Sequence, residues 1–300
     1  MTAVQQRRTA LPHQPGGPAI TKRAVWFVTG CSTGFGRELV TQLLRQESRV
    51  VVTARDPADL SEFADARDAL ILKLDVTDPG QVKAAVAAAE ERFGHIDVLV
   101  NNAGIGYFAA IEEGEDANIR RMFDINVFGM GAVIQAALPG MRKRRQGFIV
   151  NVSSIGGLLS FPATGWYNAT KFAVEGLSEA LWQEVEPLGI HVMLVEPSGF
   201  RTDWAGRSAG ESKLEIADYA DTAGKGRHGV RALSGHQAGD PVRAIAALIK
   251  TVEGPSPPHR LFLGNKAYDG ALAKLVELKD DFHAWEAVSR GADFPKDEAA

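Results

Sequence analysis

The chain has 300 residues, of which 45% are hydrophobic and 23% are charged, and its formal net charge is -4. This composition is typical of a globular protein, and the acidic balance argues against a nucleic-acid-binding surface. No apolar run approaches the roughly 20 residues that span a bilayer, so we expect no membrane contact. The single cysteine, Cys31, excludes an intramolecular disulfide. That fits a reducing compartment, and we expect a cytoplasmic protein.

The predicted elements begin after residues 1–23, which are rich in Gln, Pro, Gly and Arg and are predicted to form a flexible tail. From residue 24 onward, short apolar runs alternate with longer segments of helical periodicity about seven times. Strands are predicted at 24–30, 49–54, 69–74, 96–104, 147–154, 190–199 and 260–264. Helices are predicted at 37–47, 80–94, 116–143, 166–189 and 240–254.

The predicted strands are continuously apolar, which is typical of a parallel sheet covered on both faces. The sequence therefore predicts one α/β domain over residues 24–300. Its core is a doubly wound (Rossmann) parallel sheet of about seven strands with helices on both faces. The 200–240 segment is polar, Gly-rich and long, so we interpret it as a substrate lobe or lid. Residues 265–291 are predicted to form a C-terminal helical extension.

A glycine-rich turn follows the first predicted strand and opens the first helix, with glycines at Gly30, Gly34 and Gly36. Glycine allows a sharp turn and a close approach of the backbone to a pyrophosphate. The N-terminus of the helix adds N–H donors and positive potential. A turn of this kind at this junction predicts a dinucleotide site.

The end of the second predicted strand indicates which dinucleotide is preferred. A carboxylate about 20 residues after the glycine turn would hold the ribose 2′-OH of NAD, but here Ala54 is followed by Arg55. Arg55 offers a planar cation to a 2′-phosphate, and Thr33 adds a hydroxyl. Asp56 is a competing carboxylate, displaced by one position. We predict NADP(H) in preference to NAD(H).

The stretches TGCSTGFG, NNAG and YNATK, in this order, resemble motifs of the short-chain dehydrogenase/reductase family over residues 24–203. The chain resembles an NADP-preferring branch with TGxxxGxG and YxxxK motifs. The family usually has Pro-Gly after the sixth strand, whereas this chain reads Pro197, Ser198, Gly199. The cofactor-contacting residues that the loop chemistry and the resemblance together imply are Gly30, Ser32, Thr33, Gly34, Phe35, Gly36, Arg55, Asp75, Val76, Asn102, Ala103, Gly104, Tyr167, Lys171, Pro197, Gly199 and Thr202.

The resemblance also implies a catalytic tetrad of Asn126, Ser154, Tyr167 and Lys171. The family serine lies 13 positions before the tyrosine, which selects Ser154 over Ser153. Tyr167 and Lys171 are four residues apart and share one helix face, and we expect the ammonium to lower the pKa of the phenol.

Each member of the tetrad has a role in the family. The resemblance implies that Tyr167 exchanges a proton with the substrate oxygen and that Ser154 stabilises the charge developing on that oxygen. It also implies that Lys171 holds the nicotinamide ribose and that Asn126 supports a water. Structural interpretations stay open from the residues alone, since a Tyr–Lys pair at this spacing is common, the serine suits a turn, and Asn126 suits a satisfied core position.

We predict an NADP(H)-dependent oxidoreductase that interconverts a ketone or aldehyde and an alcohol by hydride transfer, with Tyr167 as general acid/base. Two alternatives remain. One is a catalytically silent NADP(H)-binding sensor or interaction protein, and the other is a dehydratase or epimerase on the same fold. The seven histidines lack metal-ligand spacing, so no metal is predicted.

The predicted substrate is a small carbonyl or alcohol compound. We expect an apolar or aromatic one, because four aromatic residues fall in the segments expected to line its pocket, which are 155–161, Trp166 and 200–240. These aromatic residues are Phe161, Trp166, Phe200 and Trp204. The resemblance also implies a homodimer or homotetramer formed through the helices near 116–143 and 165–188.

Overall fold

The computed structural model describes residues 20, 21 and 23–294, so the predicted tail over residues 1–23 lies almost wholly outside the described residues. The described strands are β1 (Val25–Val28), β2 (Arg49–Ala54), β3 (Ala69–Lys73), β4 (Val98–Asn101), β5 (Gly106–Phe108), β6 (Gly147–Val152), β7 (Ile190–Pro197), β8 (Ala209–Glu211) and β9 (Arg260–Leu263). Seven of them form one parallel sheet in the order β3-β2-β1-β4-β6-β7-β9. The predicted doubly wound sheet of seven strands is confirmed.

Helices cover both faces of this sheet. The α-helices are α1 (Gly34–Arg45), α2 (Pro79–Phe93), α3 (Asp116–Phe123), α4 (Met130–Arg144), α5 (Gly165–Val185), α6 (Lys225–Ala232), α7 (Pro241–Val252), α8 (Asn265–Ala284) and α9 (Glu286–Arg290). Two hydrophobic cores result, because successive strand residues point to opposite faces. Trp26 packs in the core under α1 and α7, and Phe27 packs in the core under α2, α4 and α5.

Capping residues explain where α2 and α7 begin. The Asp78 carboxylate accepts from the N–H groups of Gly80 and Gln81 at 2.8 and 3.0 Å, and Asp240 caps α7 in the same way. In both helices proline occupies the first turn, where its missing N–H leaves no bond unmade. Both starts therefore follow from short sequence signals.

The long helix predicted at 116–143 forms, but it contains a π-helical segment over Asp124–Gly129 that joins α3 to α4. π-turns inside helices occur frequently at functional sites, and this one carries Asn126. The whole helix, Asp116–Arg144, is long and apolar enough by length and composition to cross a membrane. However, 44% of its apolar window is buried in the protein. A core helix has the same composition, so this is weak evidence for a span.

The 200–240 segment, interpreted from the sequence as a substrate lobe or lid, is folded. It contains β8, α6 and several short turns of 3₁₀ and π-helix, and β8 pairs with β5 as a second, two-stranded parallel sheet. Arg231 of α6 binds the carbonyl oxygens of Ala205, Gly206 and Ala209 at 3.0, 2.6 and 2.8 Å. We call residues 200–240 the lobe; it is a folded unit attached to the sheet domain through β5.

Strand order changes direction between β1 and β4, because β1 leads to β2 on one side and the later strands follow β4 on the other. At such a switch point the connections leave in opposite directions and a crevice opens beyond the carboxyl ends of the strands. The glycine turn between β1 and α1 lies at this crevice, so the topology itself places it there.

The close approach of α1 to the glycine turn gives a test. A Cβ on Gly36 would lie 2.3 Å from the Gly30 carbonyl oxygen and 2.6 Å from Asn102 Nδ2. Gly36→Ala should therefore lower the free energy of unfolding by about 1 to 3 kcal/mol through overpacking. The measurement is urea denaturation. The control is Gly131→Ala in α4, where a Cβ meets nothing within 4 Å and stability should rise by up to about 1 kcal/mol. Equal stabilities would contradict this account.

Candidate active site

A cavity of about 1860 Å³ opens beyond the carboxyl ends of the strands, between the sheet domain and the lobe. Every residue predicted to contact a cofactor lines it except Gly36, and so do three of the four predicted catalytic residues. Gly36 and Asn126 stand behind the lining. The structure therefore gathers residues that are up to 172 positions apart in sequence, from Gly30 to Thr202, around one space.

The glycine turn is held to the end of β4 by hydrogen bonds. The Thr29 hydroxyl accepts from the N–H groups of Asn102 and Ala103 at 2.9 and 3.0 Å. In return, Asn102 Nδ2 donates to the carbonyl oxygens of Thr29 and Gly30 at 3.0 and 2.9 Å. Asn102 thus braces the turn and also borders the cavity.

The turn has the features that a pyrophosphate needs. Gly30 and Gly34 have φ angles of 70° and 57°, which residues with a side chain rarely adopt. Thr33 precedes α1 but its side chain does not cap the helix, so the first N–H groups stay free to face an anion. The residues present therefore fit a dinucleotide cofactor.

Directly after β2, Arg55 is exposed and lines the cavity, whereas Asp56 does not line it. The Asp56 carboxylate instead accepts from the Ala58 N–H at 3.0 Å and caps the short helix that follows. The competing carboxylate of the sequence analysis is thereby engaged elsewhere. Arg37, which the sequence analysis missed, also lines the cavity and forms an ion pair with Glu62.

Asp75, at the end of β3, lines the cavity together with Val76. Burial alone would raise the pKa of Asp75. Hydrogen bonds from the Thr77 hydroxyl and N–H and the nearby charges of Arg55 and Arg121 outweigh it, so the pKa lies below its usual value. Asp75 is therefore ionised at neutral pH and can accept hydrogen bonds at this end of the cavity.

Tyr167 and Ser154 meet at the cavity floor. Tyr167 lies in the first turn of α5 and Ser154 two residues after the end of β6, and both side chains line the cavity, near enough for the Ser154 hydroxyl to act on the phenol. Ser154 Oγ also accepts from the Gly156 N–H at 3.0 Å, which fixes its position. The Ser153 side chain is buried instead, with no hydrogen-bond partner for Oγ. Both serines border the cavity, but their hydroxyls have different surroundings. The choice of Ser154 as the catalytic serine stays a prediction.

The expectation of a lowered phenol pKa is wrong for this structure. Burial raises the pKa of Tyr167, and the hydrogen bond with Ser154 only partly opposes this. Lys171 Nζ lies 5.7 Å from the centre of the Tyr167 ring and donates to the Val152 carbonyl oxygen at 2.8 Å. Burial also lowers the pKa of Lys171 to about 8, opposed by Glu175. Desolvation thus dominates both groups.

Asn126 sits behind this pair, on the π-helical segment. Its Oδ1 accepts from the Ile105 N–H at 2.9 Å, and its Nδ2 donates to the Ile105 carbonyl and to Thr170 Oγ1 at 2.9 and 3.1 Å. The side chain is buried and connects the residue before β5 to α5. This geometry agrees with the interpretation as a satisfied core group, and the predicted support of a water stays a prediction.

The turn after β7 brings Pro197, Ser198 and Gly199 to the cavity despite the departure from Pro-Gly. Thr202 lines the cavity too, and its hydroxyl accepts from the Trp204 N–H at 3.4 Å. A Cβ on Gly34 would lie 3.4 Å from Thr202 Cβ. Thr202 is therefore beside the glycine turn, where a cofactor-contacting threonine has to be.

The aromatic lining differs in part from the prediction. Phe161, Phe200 and Trp204 line the cavity, but Trp166 does not. Its indole Nε1 donates to the Ile111 carbonyl at 3.2 Å, so it holds a neighbouring loop. The Trp204 ring packs against the Tyr167 ring with centroids 4.8 Å apart. Sequence named Trp204 only as one aromatic among four, because its contact with Tyr167 arises from the lobe fold.

Cys31 takes no part in the site, whereas His236 of the lobe lines the cavity. Cys31 is buried in a hydrophobic core, and burial raises the pKa of its thiol to about 12, so it is not a nucleophile. Within residues 20, 21 and 23–294, no group of three or more His, Cys, Asp or Glu side chains is placed to hold a metal ion.

A parallel sheet with a glycine turn at its switch point and a buried Tyr–Lys–Ser group defines a dinucleotide-dependent α/β oxidoreductase. The short chain dehydrogenase family model matches residues 24–212. The chain is 34% identical over 270 residues to oxidoreductase BOA17 of Botryotinia fuckeliana, covering 88% of this chain and 97% of that protein. This protein therefore belongs to the short-chain dehydrogenase family.

Other relatives and solved structures agree. The 3-ketodihydrosphingosine reductase of Bacteroides thetaiotaomicron is 36% identical over 79% of this chain and 87% of its own. A short-chain dehydrogenase from Streptomyces avermitilis superposes with a TM-score of 0.84 at 40% identity, covering 91% of this chain and all of that chain. ElxO with NADP bound has a TM-score of 0.68 at 25% identity, covering 82% of this chain and 99% of that chain. A 3-ketoacyl-(acyl-carrier-protein) reductase from Brucella melitensis complexed with NADH superposes with a TM-score of 0.66 at 26% identity, covering 81% of this chain and 97% of that chain.

The buried Lys171 ammonium gives a pH-dependent stability test. Its pKa is about 8 in the folded chain against 10.5 as a free side chain, so between these values the unfolded chain binds more protons and wild-type stability rises with pH. Lys171→Met removes this cost. At pH 7 it should therefore raise the free energy of unfolding by up to about 3 kcal/mol, and the gain should shrink from pH 8 to 10.5. Urea denaturation at several pH values measures it.

The control is Lys83→Met, at an exposed position of α2, for which no pH-dependent gain is expected. A gain for Lys171→Met that stays constant across this pH range would contradict the account.

Proposed function

We propose that this protein is an NADP(H)-dependent oxidoreductase that interconverts a ketone or aldehyde with the corresponding alcohol. The observation that carries the proposal is that the Tyr167 and Ser154 hydroxyls border the same cavity, with Lys171 one turn behind Tyr167 on α5. Two neighbouring hydroxyls facing one space can both donate to a single carbonyl oxygen.

When bound, the cofactor supplies or accepts the hydride at the substrate carbon. The raised pKa of Tyr167 keeps the phenol protonated at neutral pH, which is the form that can donate a proton to the carbonyl oxygen as it becomes an alkoxide. Ser154 donates a hydrogen bond to the same oxygen. The Lys171 ammonium, 5.7 Å from the ring centre, then stabilises the phenolate. Reduction is thus the direction that the resting protonation state favours.

Several contacts support NADP(H) as the preferred cofactor. Arg55 lines the cavity at the end of β2 while Asp56 is engaged in a helix cap. A guanidinium at this position suits a 2′-phosphate. Arg37 also lines the cavity, with its guanidinium paired to Glu62. The solved relatives named above hold either NADP or NADH, so the preference rests on these residues.

The lining beyond Tyr167 supports an apolar or aromatic substrate. Ile155, Leu159 and Phe161 line one wall, and Trp204 and Leu233 of the lobe line the opposite one. A pocket of this kind gains affinity mainly by burying apolar surface. One relative, the 3-ketodihydrosphingosine reductase, has a name that gives a keto compound as its substrate, which agrees with a ketone on an apolar body.

The function is tested by Tyr167→Phe. Losing the phenol hydroxyl removes the proton donor, so kcat/KM for NADPH-dependent carbonyl reduction should fall at least 100-fold. The dissociation constant of NADPH, measured by fluorescence, should change less than about threefold, because the ring and its packing remain. The assay is NADPH oxidation over a panel of aldehydes, ketones and steroids.

The matched control is Tyr107→Phe. Tyr107 also lines the cavity, but its hydroxyl accepts from the Glu115 N–H, so activity should fall much less. Substantial activity of Tyr167→Phe would refute the assignment. A wild-type protein that binds NADPH but reduces no carbonyl would favour the sensor, and turnover without net cofactor redox would favour a dehydratase or epimerase.

Cofactor preference is tested separately by Arg55→Asp. The variant replaces the proposed 2′-phosphate contact by a carboxylate, so the ratio of NADPH to NADH affinity should fall by at least tenfold, which is the loss of one charge-assisted contact. Arg67→Asp makes the same charge change at an exposed position outside the cavity lining and should leave the ratio unchanged. An unchanged ratio for Arg55→Asp, or equal wild-type binding of NADH and NADPH, would contradict the preference.

A further inference from the structure

Beneath the cavity floor, a cluster of four charged side chains joins α5 to β7 and β9. Arg260 Nη1 lies 2.8 Å from Glu196 Oε1 and also bonds Glu175 Oε2, and its Nη2 lies 3.2 Å from Glu179 Oε2. We call these residues the Arg260 cluster. Glu196 is fully buried and Glu175 nearly so, whereas the Glu179 side chain is 56% exposed. The buried part thus places two carboxyl groups on one guanidinium.

Burying two carboxyl groups on one cation is costly unless a proton or further partners compensate. Here Glu175 Oε1 and Glu196 Oε2 are buried without a hydrogen-bond partner. Burial and the adjacent Glu175 charge raise the pKa of Glu196 to about 8, with Arg260 opposing. Near neutral pH Glu196 is therefore protonated, and Glu175 Oε2 bonds the Arg260 guanidinium.

Glu175 connects this cluster to Lys171. It lies four residues after Lys171 on α5, so both side chains occupy one helix face. Lys171 is itself buried, with the Val152 carbonyl oxygen as its hydrogen-bond acceptor. The Glu175 charge raises the pKa of Lys171 and so opposes the effect of burial.

The same carboxyl groups touch the other two segments that form the site. A Cβ on Gly157 would lie 2.8 Å from both Glu175 Oε1 and Ser153 Oγ, so Glu175 packs against the loop that follows Ser154. Glu196 is the residue directly before Pro197, where the cavity-lining turn of β7 begins. The Arg260 cluster therefore lies behind Lys171, behind the loop that follows Ser154 and behind the turn at the end of β7.

We propose that Glu175, held by Arg260 against Glu196, is a positioning residue that keeps Lys171 in its ammonium form from behind the site. It touches neither the cavity nor the reacting atoms, since it is absent from the lining. Its relevance to turnover rests on the proposed function, but its effect on Lys171 does not. Without this carboxylate, the Lys171 ammonium is buried with a carbonyl oxygen as its acceptor, and it loses its proton at a lower pH.

The first experiment measures Lys171 without any assay of activity. The free energy of unfolding is determined from pH 6 to 10 for wild type, Lys171→Met, Glu175→Gln and the double variant. The gain from Lys171→Met reports the cost of the buried ammonium. In the Glu175→Gln background this cost should be larger by the equivalent of a tenfold change in proton affinity, or about 1.4 kcal/mol. As the pH rises, the stability gain from Lys171→Met should also begin to decline about one pH unit lower in the Glu175→Gln background than in the wild-type background.

The matched control is Glu179→Gln, which makes the same substitution in a residue that also bonds Arg260 but lies one turn further from Lys171. It should leave the Lys171 cost unchanged. An unchanged cost in the Glu175→Gln background, or an equal change with Glu179→Gln, would overturn the proposal. Since Glu175→Gln is isosteric and keeps a hydrogen-bond acceptor, the variant is expected to fold.

The second experiment follows kcat/KM for carbonyl reduction against pH. In wild type the rate should fall at high pH as Lys171 loses its proton, and this fall should be absent in Lys171→Met. In Glu175→Gln the fall should begin about one pH unit lower, whereas Glu179→Gln should match wild type. A profile unchanged by Glu175→Gln would overturn the catalytic part of the proposal. A wild-type protein that reduces no carbonyl in the panel would refute the proposed function instead, and the unfolding cycle would still decide the role of Glu175.

Discussion

The Thr29 hydroxyl holds together the two strands between which the cavity opens. It accepts from two backbone N–H groups at the end of β4, and Asn102 returns two bonds to the glycine turn. This reciprocal set fixes the turn where the sheet changes direction. The left-handed glycines, the start of α1 and the position of Thr202 all depend on the place of that turn. The geometry of the turn is thus maintained by a single hydroxyl and a single carboxamide.

Desolvation is the second constraint on the site. Tyr167, Lys171 and Glu196 are all buried, and in each case burial disfavours the charged form. The protein therefore holds a neutral phenol, a weakly basic amine and a protonated carboxyl close together. Keeping such groups out of water lowers the stability of the folded chain, but the proposed chemistry requires the phenol and the amine at the cavity floor. The Arg260 cluster limits this loss by placing one compensating carboxylate next to the lysine.

Sequence predicts the sheet well because each strand is a continuous apolar run bounded by turn or capping residues. The Asp78 and Asp240 caps and Gly94, with φ 88° at the end of α2, mark element ends directly. The residues of the candidate site could be named because their motifs are local and lie near strand ends. The fold then brings them together without any distance having been known beforehand.

What sequence did not predict depends on tertiary structure. Strands β5 and β8 have three residues each and lie about 100 positions apart, too short for a periodic signal. The π-helical segment lies inside one long predicted helix, 116–143, and no boundary signal marks it. The direction of the Tyr167 pKa shift depends on burial, which no spacing reveals. Arg260 meets Glu175 across 85 positions, so neither residue could be linked to Lys171 beforehand.

The lobe has a consequence for how specificity can change in evolution. It is anchored by backbone pairing of β8 with β5 and by Arg231 on three carbonyl oxygens. These bonds do not depend on the side chains that face the cavity from the lobe. Leu233 and similar wall residues can therefore be exchanged while the tyrosine, serine and lysine keep their places. A single chemical mechanism can in this way be passed among descendants that accept differently shaped substrates.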